Sequence, residues 1–236
     1  MIKGKLYLIP ISLGISPTDR YQPLYNLQVL SGLKVFIVEN AKTARQYIKS
    51  VLPESKISEL TIYEIDKHNG YVYPAEVMQV LLSGTDIGLM SEAGCPAVAD
   101  PGSLIVREAH QKGIQVVPLI GPSSILLSLM ASGFSGQRFT FLGYLPIDEK
   151  KRKSQFTDMI HRVREHGETQ IFIETPYRND KMIAELCKTL PDSIHLCVAI
   201  DLTTENEEIH SHSIKEWKKI FSQISLHKRP AIFLIG

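Results

Sequence analysis

Short apolar runs recur along the chain and alternate with amphipathic stretches. In the first half the apolar runs fall at residues 5–10 (KLYLIP), 35–39 (VFIVE), 61–65 (TIYEI), 86–90 (DIGLM) and 115–119 (QVVPL). Helix-spaced patterns separate them at residues 24–30, 42–51, 74–82 and 104–111. Apolar strands alternating with helices predict a mostly parallel sheet covered on both faces. After LIGPSS (residues 119–124) the run SILLSLMAS reads as a further helix. The second half then offers strands at 139–144, 170–174, 195–201, 207–213 and 231–236, with helical patterns at 153–165, 179–190 and 214–223. The strand at 207–213 follows DLTTEN with no room for a crossover helix, so later strands of this half pair antiparallel and its sheet is mixed. The dipeptide Gly121-Pro122 is the best boundary signal. The fold class is therefore α/β in two lobes, residues 1–120 and 121–236.

Composition narrows this picture only slightly. The 236 residues are 44% hydrophobic and 22% charged, an ordinary globular balance. A net charge of +1 supplies no general field for nucleic acid, so any such partner needs a local basic patch. Three cysteines, Cys95, Cys187 and Cys197, without C-x-x-C spacing, argue against a disulfide framework or a metal site, and for reduced thiols in the cytoplasm. The opening apolar run is short and broken by Pro10, so it reads as a core strand and not as a leader. No apolar run approaches the roughly 20 residues that span a bilayer, so no membrane partner is expected.

The candidate chemistry starts from what is missing. Neither G-x-x-x-x-G-K-[ST] nor a G-x-G-x-x-G after the first strand occurs. Attention moves to SEAGCPAVADPG (residues 91–102), which follows the fourth predicted strand. In an open α/β sheet, ligands sit outside the carboxyl ends of strands. Small residues there let a ligand approach the backbone. Glu92 or Asp100 can accept from an amine or hydroxyl. The same residues also read as plain strand–turn–helix punctuation, with Asp100 capping the next helix and Pro101 opening it. Spacing alone favours the plainer account.

Elsewhere, residues 148–166 hold six Lys/Arg against four acids, with KKRK at 150–153. This is either a phosphate-contacting patch or a solvated helix start. Glu174 and Arg178 flank TPY after a strand, as acceptor-orienting groups or as a structural ion pair. His210 and His212 point to one face of a strand, without an evident third metal ligand, and read as an exposed face. The run YVY (residues 71–73) is either a base-stacking platform or a packed loop anchor.

Taken in order, several stretches resemble one family. SEAGCPAVADPG resembles the S-D-A-G-T-P…D-P-G signature of the ribosomal RNA small subunit methyltransferase I family, within the tetrapyrrole-methylase-like superfamily. LYLIP…G (residues 6–14), GIQVVPLIGPSS (113–124), GYLP (143–146), FIETPYR (172–178) and AIDLT (199–203) match its other motifs in sequence. The resemblance covers almost the whole chain. It implies an S-adenosylmethionine (SAM)-dependent methyltransferase of two lobes, with SAM bent in the cleft between them. By position, Pro10, Met90, Ser91, Glu92, Ala93 and Gly94 line SAM, with Ala97 and Val98 of the following turn and Ser123 and Ser124 after the boundary. Phe172, Leu202 and Pro230 come from the second lobe. Glu39, Glu174 and Arg178 are the candidates for catalysis, with no base assigned among them. Lys151, Arg152 and Arg178 are the candidates for substrate contact. The implied acceptor is the ribose 2′-hydroxyl of a cytidine in small-subunit ribosomal RNA. The other readings are a different RNA, a tetrapyrrole-like small molecule, or a SAM-binding module without catalysis. The resemblance also implies a homodimer and no metal.

Departures from the pattern cluster in motifs expected to face the acceptor. The family's G-N-L-x-D is GISPTD here, E-D-T-R is ENAK (residues 39–42), and K-G-E is KRP (228–230). Lys42 cannot supply the planar fork of an arginine. Glu92 stands where the signature usually has Asp.

Overall fold

The computed structural model describes residues 2–66, 72–100 and 102–236. It divides into two units, Met1–Ser123 and Ser124–Gly236.

In the first unit five strands carry the predicted runs: β1 (Lys5–Leu8), β2 (Val35–Val38), β3 (Thr61–Glu64), β4 (Ile87–Met90) and β5 (Gln115–Pro118). They form one sheet in the order β3-β2-β4-β1-β5, every pairing parallel. Four helices connect them: α1 (Leu24–Gly32), α2 (Ala41–Val51), α3 (Glu76–Leu82) and α4 (Ser103–Gln111). Two separate apolar clusters, one around Phe36, Tyr47 and Ile48 and one around Leu6, Leu81 and Ile105, cover the two faces. That is why β4 is buried at every position. Gly88 in β4 is required by this packing, since a β-carbon there would lie 2.6 Å from Ile9 Cδ1 and 2.9 Å from Phe36 Cδ1. Local sequence sets the helix starts. Asn40 caps α2 by accepting from Thr43 N at 3.1 Å. At α4 the cap position is Gly102, which has no side chain to cap with. Pro101, the expected helix opener, and Tyr71 of YVY lie outside the described residues.

The strand order positions a site. From β1 the chain travels past β4 to β2, and from β4 it travels past β1 to β5. The loops leaving β1 and β4 therefore diverge at their carboxyl ends, which is a topological switch point.

The second unit begins with α5 (Ser124–Ser132). Its sheet contains β6 (Phe139–Tyr144), β7 (Thr169–Ile173), β8 (His195–Ile200), β9 (Glu208–Ser213) and β10 (Ala231–Ile235), with helices α6 (Glu149–His166), α7 (Asn179–Thr189) and α8 (Ile214–Ile220). The order is β6-β7-β10-β8-β9, with β6 and β7 parallel and the remaining pairs antiparallel. The mixed sheet expected for this half is the one found. Its core gathers Phe156, Phe172, Leu186, Trp217 and Phe233. α6 starts at Glu149, four residues before the periodicity predicted, because Asp148 caps Lys151 N at 2.9 Å and Glu149 pairs with Lys153 at 2.6 Å. His210 and His212 do share a face, but it is not an exposed one. Both are half-buried, and their ring centroids lie 6.0 and 5.7 Å from the buried Trp217. Among the described residues no helix is long and apolar enough to cross a membrane, and no three His, Cys, Asp or Glu are grouped to hold a metal ion.

Candidate functional site

The loop between β4 and α4 is built from backbone strain. Gly94, Ala97 and Ala99 all lie in the left-handed region, at φ of 68°, 65° and 61°. For alanine this conformation costs about 1–2 kcal/mol per residue, so surrounding contacts must impose it. Ser91 Oγ donates to Ala93 O at 3.2 Å. Ile11 N donates to Gly94 O at 3.0 Å, tying the loop to the segment after β1. The Cys95 thiol donates to Pro122 O at 3.4 Å, tying it also to the segment after β5. Burial, then the Asp100 charge, raises the Cys95 pKa, which suits a structural thiol and not a nucleophile.

Two further groups hold this end of the sheet. Asn26 in α1 is 1% exposed and donates from Nδ2 to Ile120 O at 2.6 Å. Tyr47 in α2 donates its hydroxyl to Pro10 O at 3.4 Å. Neither was legible as a site residue, because an Asn one turn into a helix and a Tyr on an apolar face both read as ordinary packing. Glu39, at the end of β2, accepts the backbone N–H of Glu92 at 3.3 Å. It therefore acts on the loop directly, across 53 residues of sequence.

The sequence-derived candidates of this unit thus gather at the switch point, but not all in the same manner. Glu92, Ala93 and Val98 are exposed, and Ala97 and Ser123 half-exposed. Met90 is 1% exposed and Pro10 is buried, so each presents backbone, if anything, to a ligand. The reading of Gly94 as open space for ligand approach needs correction. A β-carbon there would meet Leu13 Cδ2 at 3.1 Å and Pro122 O at 3.5 Å, so Gly94 is required by the loop's own packing and φ.

In the second unit the turns at one end of the sheet carry matching strain. Asp201 and Thr203 after β8 and Lys228 before β10 have φ of 48°, 70° and 61°. Together with Ala97 and Ala99 they are all the non-glycine residues with positive φ among the described residues. Ala97, Ala99, Asp201 and Thr203 lie in matched motifs, and Lys228 opens the departing KRP. A left-handed β-branched residue such as Thr203 is a marked outlier. Arg229 holds this end together. Nε lies 2.6 Å from Asp201 Oδ2, Nη1 2.7 Å from Glu208 Oε1, and Nη2 donates to Asn206 O at 2.8 Å. The buried Asn179 donates from Nδ2 to Arg229 O at 2.7 Å. Thr203 Oγ1 and Asn179 Oδ1 are buried without a hydrogen-bond partner among the described residues.

The second-unit candidates also separate. Pro230 is exposed, Ser124 half-exposed and Leu202 7% exposed. Phe172 is 0% exposed and stacks on Phe233 with centroids 5.3 Å apart, so its side chain belongs to the core and is no ligand wall. Glu174 is committed to its own turn: Oε1 accepts Thr175 N at 2.7 Å and Oε2 lies 2.9 Å from Arg178 Nη2. With its side chain 2% exposed, Glu174 orients Arg178, which is 34% exposed. Arg152 binds Glu185 at 2.9 Å and the carbonyls of Pro146 and Ile147, so its guanidinium shapes the GYLP turn. Lys150 and Lys151 remain exposed.

If Glu39 positions the loop through its acceptor oxygen, Glu39→Gln should retain most of the activity, while Glu39→Ala should lose about tenfold, the worth of one hydrogen bond to a charged group. Single-turnover rates check this. A Gln variant as inactive as the Ala variant would instead make Glu39 a proton acceptor.

Comparison with known proteins agrees with the geometry. Residues 28–218 match the family model for Tetrapyrrole (Corrin/Porphyrin) Methylases. The chain is 31% identical over 211 residues to ribosomal RNA small subunit methyltransferase I of Vibrio cholerae, covering 89% of this chain and 69% of that protein. It is 34% identical to the protein of that name from Xylella fastidiosa, over 85% of this chain and 69% of the relative. Among solved structures, the methyltransferase CobJ superposes with a TM-score of 0.64 at 15% identity, covering 99% of this chain and 94% of that one. Diphthine synthase gives 0.65 at 14%, covering 98% and 88%. These two establish the fold alone. Strained strand-end loops at a switch point, the family match and the relatives converge: the chain belongs to the tetrapyrrole (corrin/porphyrin) methylases, SAM-dependent methyltransferases, and within them to the ribosomal RNA small subunit methyltransferase I family.

Proposed function

We propose that this methyltransferase acts on small-subunit ribosomal RNA, with the ribose 2′-hydroxyl of a cytidine as acceptor, and that it works as a homodimer. The names of the curated relatives support the RNA class, and the family resemblance supports the acceptor and the dimer. The observation that carries the reading is the β4–α4 loop, whose left-handed Gly94, Ala97 and Ala99 are held by Ile11, Cys95 and Glu39.

The residues present fit SAM. The backbone of Ser91–Gly94 with Ala97, Val98 and Ser123 would hold it, and the family resemblance carries Ser124, Leu202 and Pro230 as the second unit's SAM candidates. Buried acceptors on Thr203 and Asn179 suit a ligand rich in N–H and O–H donors. Bound SAM supplies a methyl on a sulfonium that leaves as a neutral thioether, so departure needs no acid and no metal. The protein's task is alignment of the acceptor oxygen at near-attack distance, and the hydroxyl proton released on transfer passes to a positioned base or to water. Lys150, Lys151 and the Glu174-oriented Arg178 are the groups for phosphate contact.

Small ribosomal subunits from a strain lacking the enzyme, incubated with methyl-labelled SAM, should take up label in RNA. The label should persist at a linkage resistant to alkali, as a 2′-O-methyl protects its phosphodiester. A Lys150→Glu/Lys151→Glu variant should raise KM for RNA about tenfold and lower the salt slope by about two, with SAM affinity unchanged. SAM binding without any labelling of deficient subunits would remove the ribosomal acceptor and leave a small molecule, another RNA or a binding-only module.

A further inference from the structure

Gln22 sits between a single 3-10 turn (Thr18–Arg20) and α1, with its N–H on Thr18 O at 2.9 Å. One helical turn on, Asn26 grips Ile120 O, so this segment is fixed at the carboxyl end of the parallel sheet. The Gln22 residue is 7% exposed, yet neither Oε1 nor Nε2 has a hydrogen-bond partner among the described residues. Its neighbours are not like this. The Asn26 amide and the Tyr47 hydroxyl at the same end of the sheet both donate to backbone carbonyls. A buried carboxamide with both ends unpaired is destabilising, and it gains only from a partner offering a donor and an acceptor side by side.

We propose that the Gln22 amide is a recognition group for a nucleobase edge. Adenine offers N6–H beside N7 or N1, and cytosine offers N4–H beside N3. A glutamine amide reads such a pair bidentately. The inference rests on the proposed function, which brings two nucleosides to the protein: the adenosine of SAM and the acceptor nucleotide. Both present the same chemistry to Gln22, and the experiment separates them.

Gln22→Met keeps the volume and removes both polar ends. In the full chain without ligand, it should raise Tm by about 2–4 °C, because an unpaired buried amide is gone. A structural amide would give a fall instead. Calorimetry with SAM and with adenosine reads the first source: a tenfold loss of affinity for both assigns Gln22 to adenine. Unchanged SAM affinity with a tenfold rise in KM for RNA assigns it to the acceptor base. A fall in Tm with both affinities unchanged overturns the proposal, and so does a rise in Tm with both unchanged. If ribosomal RNA is not the acceptor, the labelling experiment fails while the Tm and adenosine measurements still report on Gln22.

Discussion

Gly121→Ala should cut SAM affinity at least tenfold while the protein stays folded. The added β-carbon would lie 2.2 Å from Pro10 Cβ and 2.7 Å from Pro10 Cγ. A proline ring has no rotamer by which to withdraw, so backbone must move. Pro10 is poorly placed to move, because Ile9 N is bound to Leu89 O at 2.9 Å and Ile11 N to Gly94 O at 3.0 Å. Gly121 is equally held, between the Asn26–Ile120 bond and the Cys95–Pro122 bond. Whichever side yields, the segment after β1, the β4–α4 loop and the segment after β5 lose their mutual register. Overpacking of this kind costs about 1–3 kcal/mol. That predicts a Tm loss of only about 2–10 °C in a chain of this size. The loss of ligand affinity comes from displaced backbone, and calorimetry with SAM reads it. Gly32→Ala is the control, since a β-carbon there meets nothing within 4 Å. A Gly121→Ala protein that binds SAM like the parent would show that this end of the sheet does not hold the ligand.

The strands were legible because each is a short apolar run, and burial on both faces keeps such runs continuous in a parallel sheet. Helix bounds were less so where charge and capping set them, as at Asp148 and Glu149 in α6. Periodicity follows apolar positions and passes over a first turn made of charged residues. Within the candidate site, motif order located the loops but could not tell lining from foundation. Phe172 and Leu202 looked alike as apolar residues in matched motifs, yet Phe172 is stacked in the core on Phe233. Gly94 read as room for a ligand and serves the loop's own turn. Asn26 and Arg229 escaped because their roles depend on partners remote in sequence, Asn26 reaching 94 residues to Ile120. For Arg229 a signal did exist: it interrupts the family's K-G-E, a departure that marked the place without naming the partner.

That arginine carries the second large effect. Arg229→Met should lower Tm by about 4–8 °C and weaken SAM binding about tenfold or more. Removing one member of a buried, hydrogen-bonded charge pair costs several kcal/mol, chiefly through the partner left uncompensated. Asp201 is 16% and Glu208 43% exposed at the side chain, so solvent shares the load and about 2 kcal/mol is the appropriate scale. The larger consequence is conformational. Asp201 and Thr203 hold left-handed backbone that costs energy by itself, and Asp201 N also donates to Pro230 O at 2.9 Å. Without the guanidinium linking Asp201, Asn206 and Glu208, the turn is free to relax, and Leu202 and Pro230 shift with it. Acid provides an independent reading. His210 first, and Arg229 second, hold the Glu208 carboxyl below its ordinary value of 4.5. A depressed folded pKa contributes stability that is present above the unfolded value and lost as pH falls through the folded one. The parent should therefore lose Tm as pH drops below about 4.5, and Arg229→Met should lose less over that window, keeping only the His210 share. Arg229→Lys retains the charge but not the planar fork, and should fall between the two in SAM affinity. Parallel melting curves for parent and Met variant, with equal SAM affinity, would reduce Arg229 to a surface contact.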